Sequence, residues 1–178
     1  MSELTGKNQF EAICCLISVR KLLATEVLAA PDKYELFRYA SFTEILVNLN
    51  YLVQLSIRLF DKRITFKDDI TITDKVKDIS DLIRDFRNAA VHSGSDLRYF
   101  GEKSHPHGQK SFFGHIVGLG ESEIDPQCSS EYSDDTAYFT GTQRIYLNRH
   151  IKRAYSELLE LYRAYLSKHV MRLIEGGY

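Results

Sequence analysis

Seven of the ten glycines and two of the three prolines fall between Ser93 and Thr142. Glycine and proline are the strongest local punctuation a chain carries, so crowding them into one interval leaves the remainder free to run in long, unbroken segments. Those segments have helical periodicity. From about Glu3 to Ala29, the residues Phe10, Ile13, Ile17, Leu23, Val27 and Leu28 recur mainly at spacings of three and four, and Pro31 closes the run. From about Asp32 to Phe60 apolar residues cover more than one face, which predicts a central helix about 42 Å long at 1.5 Å per residue. A third helix is expected after the capping types Thr73 and Asp74, with Val76, Ile79, Ile83, Phe86 and Ala90 on one stripe before Ser93 and Gly94. The last is expected from about Asn148 to Ile174, carried by Ile151, Tyr155, Leu158, Tyr162, Leu166, Val170 and Leu173.

Inside the punctuated interval, Ser111 to Val117 and Thr136 to Leu147 are rich in β-formers and predict a small hairpin or sheet. Between them Glu121, Glu123, Asp125, Glu131, Asp134 and Asp135 stand with no basic residue, and read as a solvated loop. The expected architecture is all-α: one domain over 1–178, an up-and-down bundle of about four long helices, with a β-hairpin or loop insert at about 93–147 before the last helix.

The 23 Lys and Arg against 24 Asp and Glu leave a net charge of -1, which excludes coating of nucleic acid by bulk charge and makes any such contact local. Of three cysteines, Cys14 and Cys15 are adjacent and Cys128 is remote, so neither a disulfide framework nor metal-ligand spacing is present. Free thiols in a reducing compartment are expected. The start of the chain lacks a basic and then apolar leader, and Ile45 to Ile57 is short and interrupted by Asn48, Asn50 and Gln54, so no bilayer span is expected and the cytoplasm is the default.

The segment with most chemistry is Asp85-Phe86-Arg87-Asn88-Ala89-Ala90-Val91-His92-Ser93-Gly94. At 100° per residue Asn88 and His92 lie about 40° apart on the helix, and Arg87 and His92 about 140°. Arginine is a permanent cation suited to phosphate, and histidine exchanges a proton near neutral pH. These suffice for metal-free RNA cleavage, in which the ribose 2′-hydroxyl attacks the adjacent phosphate. Helix capping alone would also favour a histidine in a last turn. An Arg followed by His after four to six residues occurs four times, at Arg87/His92, Arg98/His105, Arg144/His150 and Arg163/His169, so spacing does not choose among them.

Context does. Arg87-Asn88-Ala89-Ala90-Val91-His92, with a polar residue after the arginine, at the end of a third long helix, resembles the Arg-x4-6-His signature of HEPN domains. Tyr138 to Leu147 resembles the insert strand that several bacterial subfamilies place before the last helix. The resemblance implies a metal-independent endoribonuclease of toxin or phage-defence type, without cofactor, whose site is completed across a homodimer. It assigns His92 as general base or acid, Arg87 as phosphate and transition-state clamp and Asn88 as the group orienting His92 or the phosphate. It also implies an antitoxin or a defence-system partner protein. Members paired with a nucleotidyltransferase antitoxin often carry Tyr two residues after the histidine, whereas this chain has Gly94. The alternative from a different class is a catalytically inactive HEPN-like module that binds a protein or nucleotide.

Arg84, Arg144, Arg149, Lys152 and Arg153 are the expected RNA contacts; from Arg144 to Arg153 no acid intervenes. Tyr146 and Tyr155 read either as base-stacking platforms or, at helical spacing, as core. His105, His107, His115 and Cys128 match no strong zinc pattern, so no metal is expected. Phosphate-binding loops and nucleophile-elbow patterns are absent from the sequence.

Overall fold

A computed structural model of the chain describes residues 4, 6–28, 35–92, 99–100, 110–111, 113–121, 128–140 and 143–176. The first helix, α1, spans Gly6–Leu23 and is followed by a 3-10 turn at Glu26–Leu28. It buries Ala12, Leu16 and Val19, not the Phe10 stripe read from spacing, and Phe10 is 68% exposed. Small and branched side chains on the buried face let α1 lie close along α2, Glu35–Phe60. α2 is apolar on several faces because it packs against α1, α3 and α4 together.

The third helix, α3, spans Ile79–Val91. It starts later than Thr73 and Asp74 suggest, because Thr73 closes its own turn by accepting the Val76 N–H at its hydroxyl and donating its N–H to the Val76 carbonyl. Asp78 is the N-cap, accepting the Asp81 N–H at 3.1 Å. Arg63 holds Asp78 with two hydrogen bonds of 2.8 and 2.7 Å, and Asp81 at 2.8 Å, which fixes the entry of the helix.

The all-α bundle expected from the periodicity is not what forms. The chain is mixed: among the described residues five α-helices are joined by short antiparallel sheets. Strands β1 (Tyr99–Phe100) and β2 (Lys110–Ser111) form one pair, and β4 (Gly120–Glu121) and β5 (Ser129–Ser130) another. The largest sheet runs β3-β6-β7, with β3 at Phe113–Val117, β6 at Thr136–Thr140 and β7 at Gln143–Tyr146. Both segments picked out as β-forming therefore pair, and the second of them, β6 with β7, is part of the fold's core and not an appended hairpin. Every residue of β6 is buried. Side chains alternate across a strand, so Tyr138 and its register partner Ile145 join the helical core, while Ala137, Phe139 and Tyr146 build a second small core with Cys128. Tyr138 stacks on Phe42 with ring centroids 3.8 Å apart, and its hydroxyl donates to the Leu28 carbonyl at 2.9 Å.

The single last helix of the expectation is three pieces. A π-helical turn at Leu147–Lys152 leads into α4, Arg153–Arg163, and α5, Lys168–Glu175, restarts after Ser167 caps it by accepting the Val170 N–H. The break rotates the buried face: α5 buries Met171 and Ile174, whereas Leu173 from the predicted stripe is 40% exposed. Among the described residues no helix is long and apolar enough to cross a membrane.

Candidate functional site

α3 delivers the Arg-Asn-His segment to its C-terminal turn. Ile79, Leu82, Ile83, Phe86 and Ala89 pin one face in the core, so the polar residues on the other side occupy fixed azimuths. Arg87 and Asn88 are half-buried and His92 is exposed. Arg87 Nη1 donates to Asn88 Oδ1 at 3.1 Å. His92 is the C-cap, with extended backbone (φ -114°, ψ 102°), and its N–H donates to the Asn88 carbonyl at 3.1 Å. Asn88 is thus the hub: its side chain steers the guanidinium and its carbonyl ties down the backbone of the histidine. Ser93, Gly94 and Arg98 lie outside the described residues.

The arginines around this turn differ in what neutralises them. Arg84, one turn earlier, pairs with Asp81 at 2.9 Å and Asp85 at 3.4 Å. Arg87 forms no ion pair with any described residue; Asn88, a neutral group, is its partner. Asp85 was not singled out by sequence. It is nearly buried in α3, and burial pushes its carboxyl above the usual carboxylate range, with Arg84 pulling the other way. The signal that could have found it was its place beside Arg84, which pairs with it at 3.4 Å.

The expected RNA-contact arginines of the basic stretch are also engaged. Arg144 donates to the Ser129 carbonyl at 2.6 Å and to Glu131 at 2.8 Å, and lies over the Tyr146 ring. Arg149 pairs with Asp134 at 3.0 Å and Asp135 at 3.1 Å, its guanidinium 3.5 Å from the Tyr132 ring centroid. Arg153 pairs with Asp68 at 2.8 Å and Glu157 at 3.0 Å, over Phe66. Asp68, Asp69, Asp134, Asn148, Arg149 and Arg153 line a shallow groove of about 440 Å³. The acidic run, read as a solvated loop, is in this part the counter-charge of the basic run. Lys152 alone of the basic stretch has an exposed side chain with no hydrogen bond or ion pair to a described residue, although its carbonyl accepts from the Ser156 hydroxyl at 3.0 Å.

His150, inside the same stretch, is fully buried. Its Nδ1 accepts the Tyr146 N–H at 3.0 Å, so Nε2 carries the proton and donates to the Asp68 carbonyl at 2.9 Å. Tyr146 and Tyr155 are both buried in the core. His105 and His107 lie outside the described residues, and His115 and Cys128 are not brought together: His115 touches Arg38 and Tyr39, whereas Cys128 sits in the second core. Among the described residues no group of three or more His, Cys, Asp or Glu is arranged to hold a metal.

No protein-family model, curated protein or solved structure matches the chain. The functional reading therefore stands on the residues themselves.

Proposed function

We propose that the chain is a HEPN-like, metal-independent endoribonuclease that acts as a homodimer through Arg87, Asn88 and His92. The observation that supports it is the Arg87 guanidinium, unpaired with any described carboxylate and hydrogen bonded at 3.1 Å to Asn88 on the turn that ends in an exposed histidine. A cation whose partner among the described residues is a neutral amide keeps its charge for a phosphate, and a planar fork suits the non-bridging oxygens of a phosphodiester.

In the proposed reaction the ribose 2′-hydroxyl attacks the adjacent phosphorus. One imidazole accepts the 2′-proton, the bond to the 5′-oxygen breaks, and a second imidazole protonates that leaving oxygen. The products are a 2′,3′-cyclic phosphate and a 5′-hydroxyl. A single α3 supplies one histidine, so the second comes from another copy of the chain, while Arg87 stabilises the charge of the pentacovalent phosphorane. No cofactor takes part in these steps.

The experiment is cleavage of a mixed RNA pool in excess EDTA by the parent and by His92→Ala, with product ends identified. Cleavage by the parent alone, leaving 2′,3′-cyclic phosphates, is the expected result. Equal cleavage by both proteins, or none by either under any RNA tested, overturns the reading.

A further inference from the structure

Arg38 lies in the first turn of α2 and is 0% exposed. Its guanidinium reaches back beyond the start of the helix, where Nε donates to the Val27 carbonyl at 3.3 Å. Nη1 meets His115 Nε2 of β3, and the other ring nitrogen of His115 is 3.0 Å from the Tyr39 hydroxyl. A guanidinium has no lone pair to offer, so His115 Nε2 accepts, Nδ1 carries the ring proton, and the imidazole is neutral. Nη2 is buried and has no hydrogen-bond partner among the described residues.

Three costs converge on this group. A fully buried cation ordinarily needs an anion, yet the hydrogen-bond acceptors on Arg38 are a backbone carbonyl and a neutral imidazole, and no ion pair joins it to a described carboxylate. The N-terminus of a helix carries partial positive charge, which makes the first turn of a 26-residue helix a poor place for a cation. The Nη2 protons are also unsatisfied. One oxyanion at this point would remove all three costs, since it accepts from Nη2, balances the guanidinium and faces the positive end of α2.

We propose that Arg38, at the N-terminus of α2 beside His115 and Tyr39, anchors a binding site for a phosphoryl group, free or carried as a monoester on a larger molecule. The site is separate from Arg87, Asn88 and His92 and does not depend on the nuclease reading. His115 fixes the roll of the guanidinium, and Tyr39 fixes the tautomer of His115.

The test is thermal unfolding of the whole chain, parent and Arg38→Met, in chloride buffer and with added inorganic phosphate or ribose 5-phosphate at matched ionic strength. In chloride, Arg38→Met removes a charge that no described carboxylate balances and melts no lower than the parent. With ligand a hundredfold above its Kd, the parent gains about 5–10 °C and the variant gains nothing. A larger gain with ribose 5-phosphate than with phosphate assigns a carried monoester, and the reverse assigns the free anion. Equal gains in parent and variant, no gain in the parent with either compound, or a variant that melts lower in chloride overturns the site. Should Arg38→Met not fold, Arg38→Lys serves. It keeps the charge without the fork, and phosphate binding read by phosphorus NMR line broadening should weaken at least tenfold with unchanged circular dichroism. Undiminished broadening overturns the proposal equally.

Discussion

Asp135 grips Arg149 twice, its Oδ2 accepting both the backbone N–H at 3.0 Å and Nη1 at 3.1 Å. Oδ1 of the same carboxylate accepts the N–H groups of Thr136 and Asn148, each at 2.8 Å. The cap residue of the following π-helical turn, Tyr146, offers no side-chain cap, so Asp135 caps it from eleven residues upstream. Its side chain is 0% exposed while that of Arg149 is 30% exposed. Asp135→Asn keeps the shape but turns an amide NH2 towards donors, and should lower stability by about 3 kcal/mol, seen as a shift in urea midpoint at constant m. Arg149→Met should cost about 1 kcal/mol, because three backbone donors still satisfy the carboxylate and solvent screens the pair. Equal losses in the two variants would mean that the ion pair, not the cap, is what Asp135 contributes.

Salt dependence separates structural from available cations. If RNA tracks the basic stretch, each cation that releases a counterion from a single strand contributes about 0.7 to the slope of log K against log salt. Arg144, Arg149 and Arg153 already have carboxylate partners, whereas Lys152 has none among the described residues. Lys152→Ala should therefore flatten the slope by about 0.7, and Arg153→Ala should leave it unchanged. A flatter slope for Arg153→Ala would show that RNA displaces Asp68 and Glu157.

What the sequence made legible follows from range. The α3 stripe of Ile79, Ile83 and Phe86 was readable because helical neighbours lie three and four residues apart, and all three are buried. The α4–α5 break was hidden because no glycine or proline marks it and Leu166 continues the stripe; Ser167, a capping type, was the available signal. Pairings such as Arg153 with Asp68 or Arg38 with His115 span 85 and 77 residues and are invisible to any periodicity. The fold class was missed for a related reason. Strand length and alternation located 136–147, but nothing local states that Tyr138 will stack on Phe42 and carry the sheet into the core. For the site, spacing places Asn88 with His92 on one side of α3, while the pairing of Arg87 with the neutral Asn88 side chain depends on rotamers that no spacing encodes.

His150 sets a direction for the pH dependence of stability. Burial holds its pKa below the ordinary histidine value, against the Asp68 carbonyl and the nearby Asp69 and Asp135 charges, which pull it upward. The folded protein thus resists protonation that the unfolded chain accepts near pH 6.5. The contribution is complete above pH 6.5 and is lost as pH falls from there towards the folded pKa, by at most about 1.4 kcal/mol per pH unit. Urea midpoints at pH 7.5 and 5.5 should drop more for the parent than for His150→Asn, whose amide does not titrate. An identical drop would place the acid sensitivity elsewhere.

Arg87→Lys tests the geometry of the proposed nuclease more sharply than removal of the charge. Lysine preserves the cation but not the fork that reaches Asn88 at 3.1 Å and leaves the other nitrogens for phosphate. A guanidinium that only attracts RNA would be replaced at little cost, raising KM slightly. A guanidinium that stabilises the phosphorane loses an aligned donor, worth about 100-fold or more in kcat. The expected outcome for Arg87→Lys is therefore a kcat lowered about 100-fold with KM nearly unchanged, read from single-turnover cleavage against RNA binding. Asn88→Ala, which frees the guanidinium from its anchor among the described residues, should fall in the same direction by about tenfold. A lysine variant with parental kcat would reduce Arg87 to an electrostatic contact and leave His92 to act with another cation.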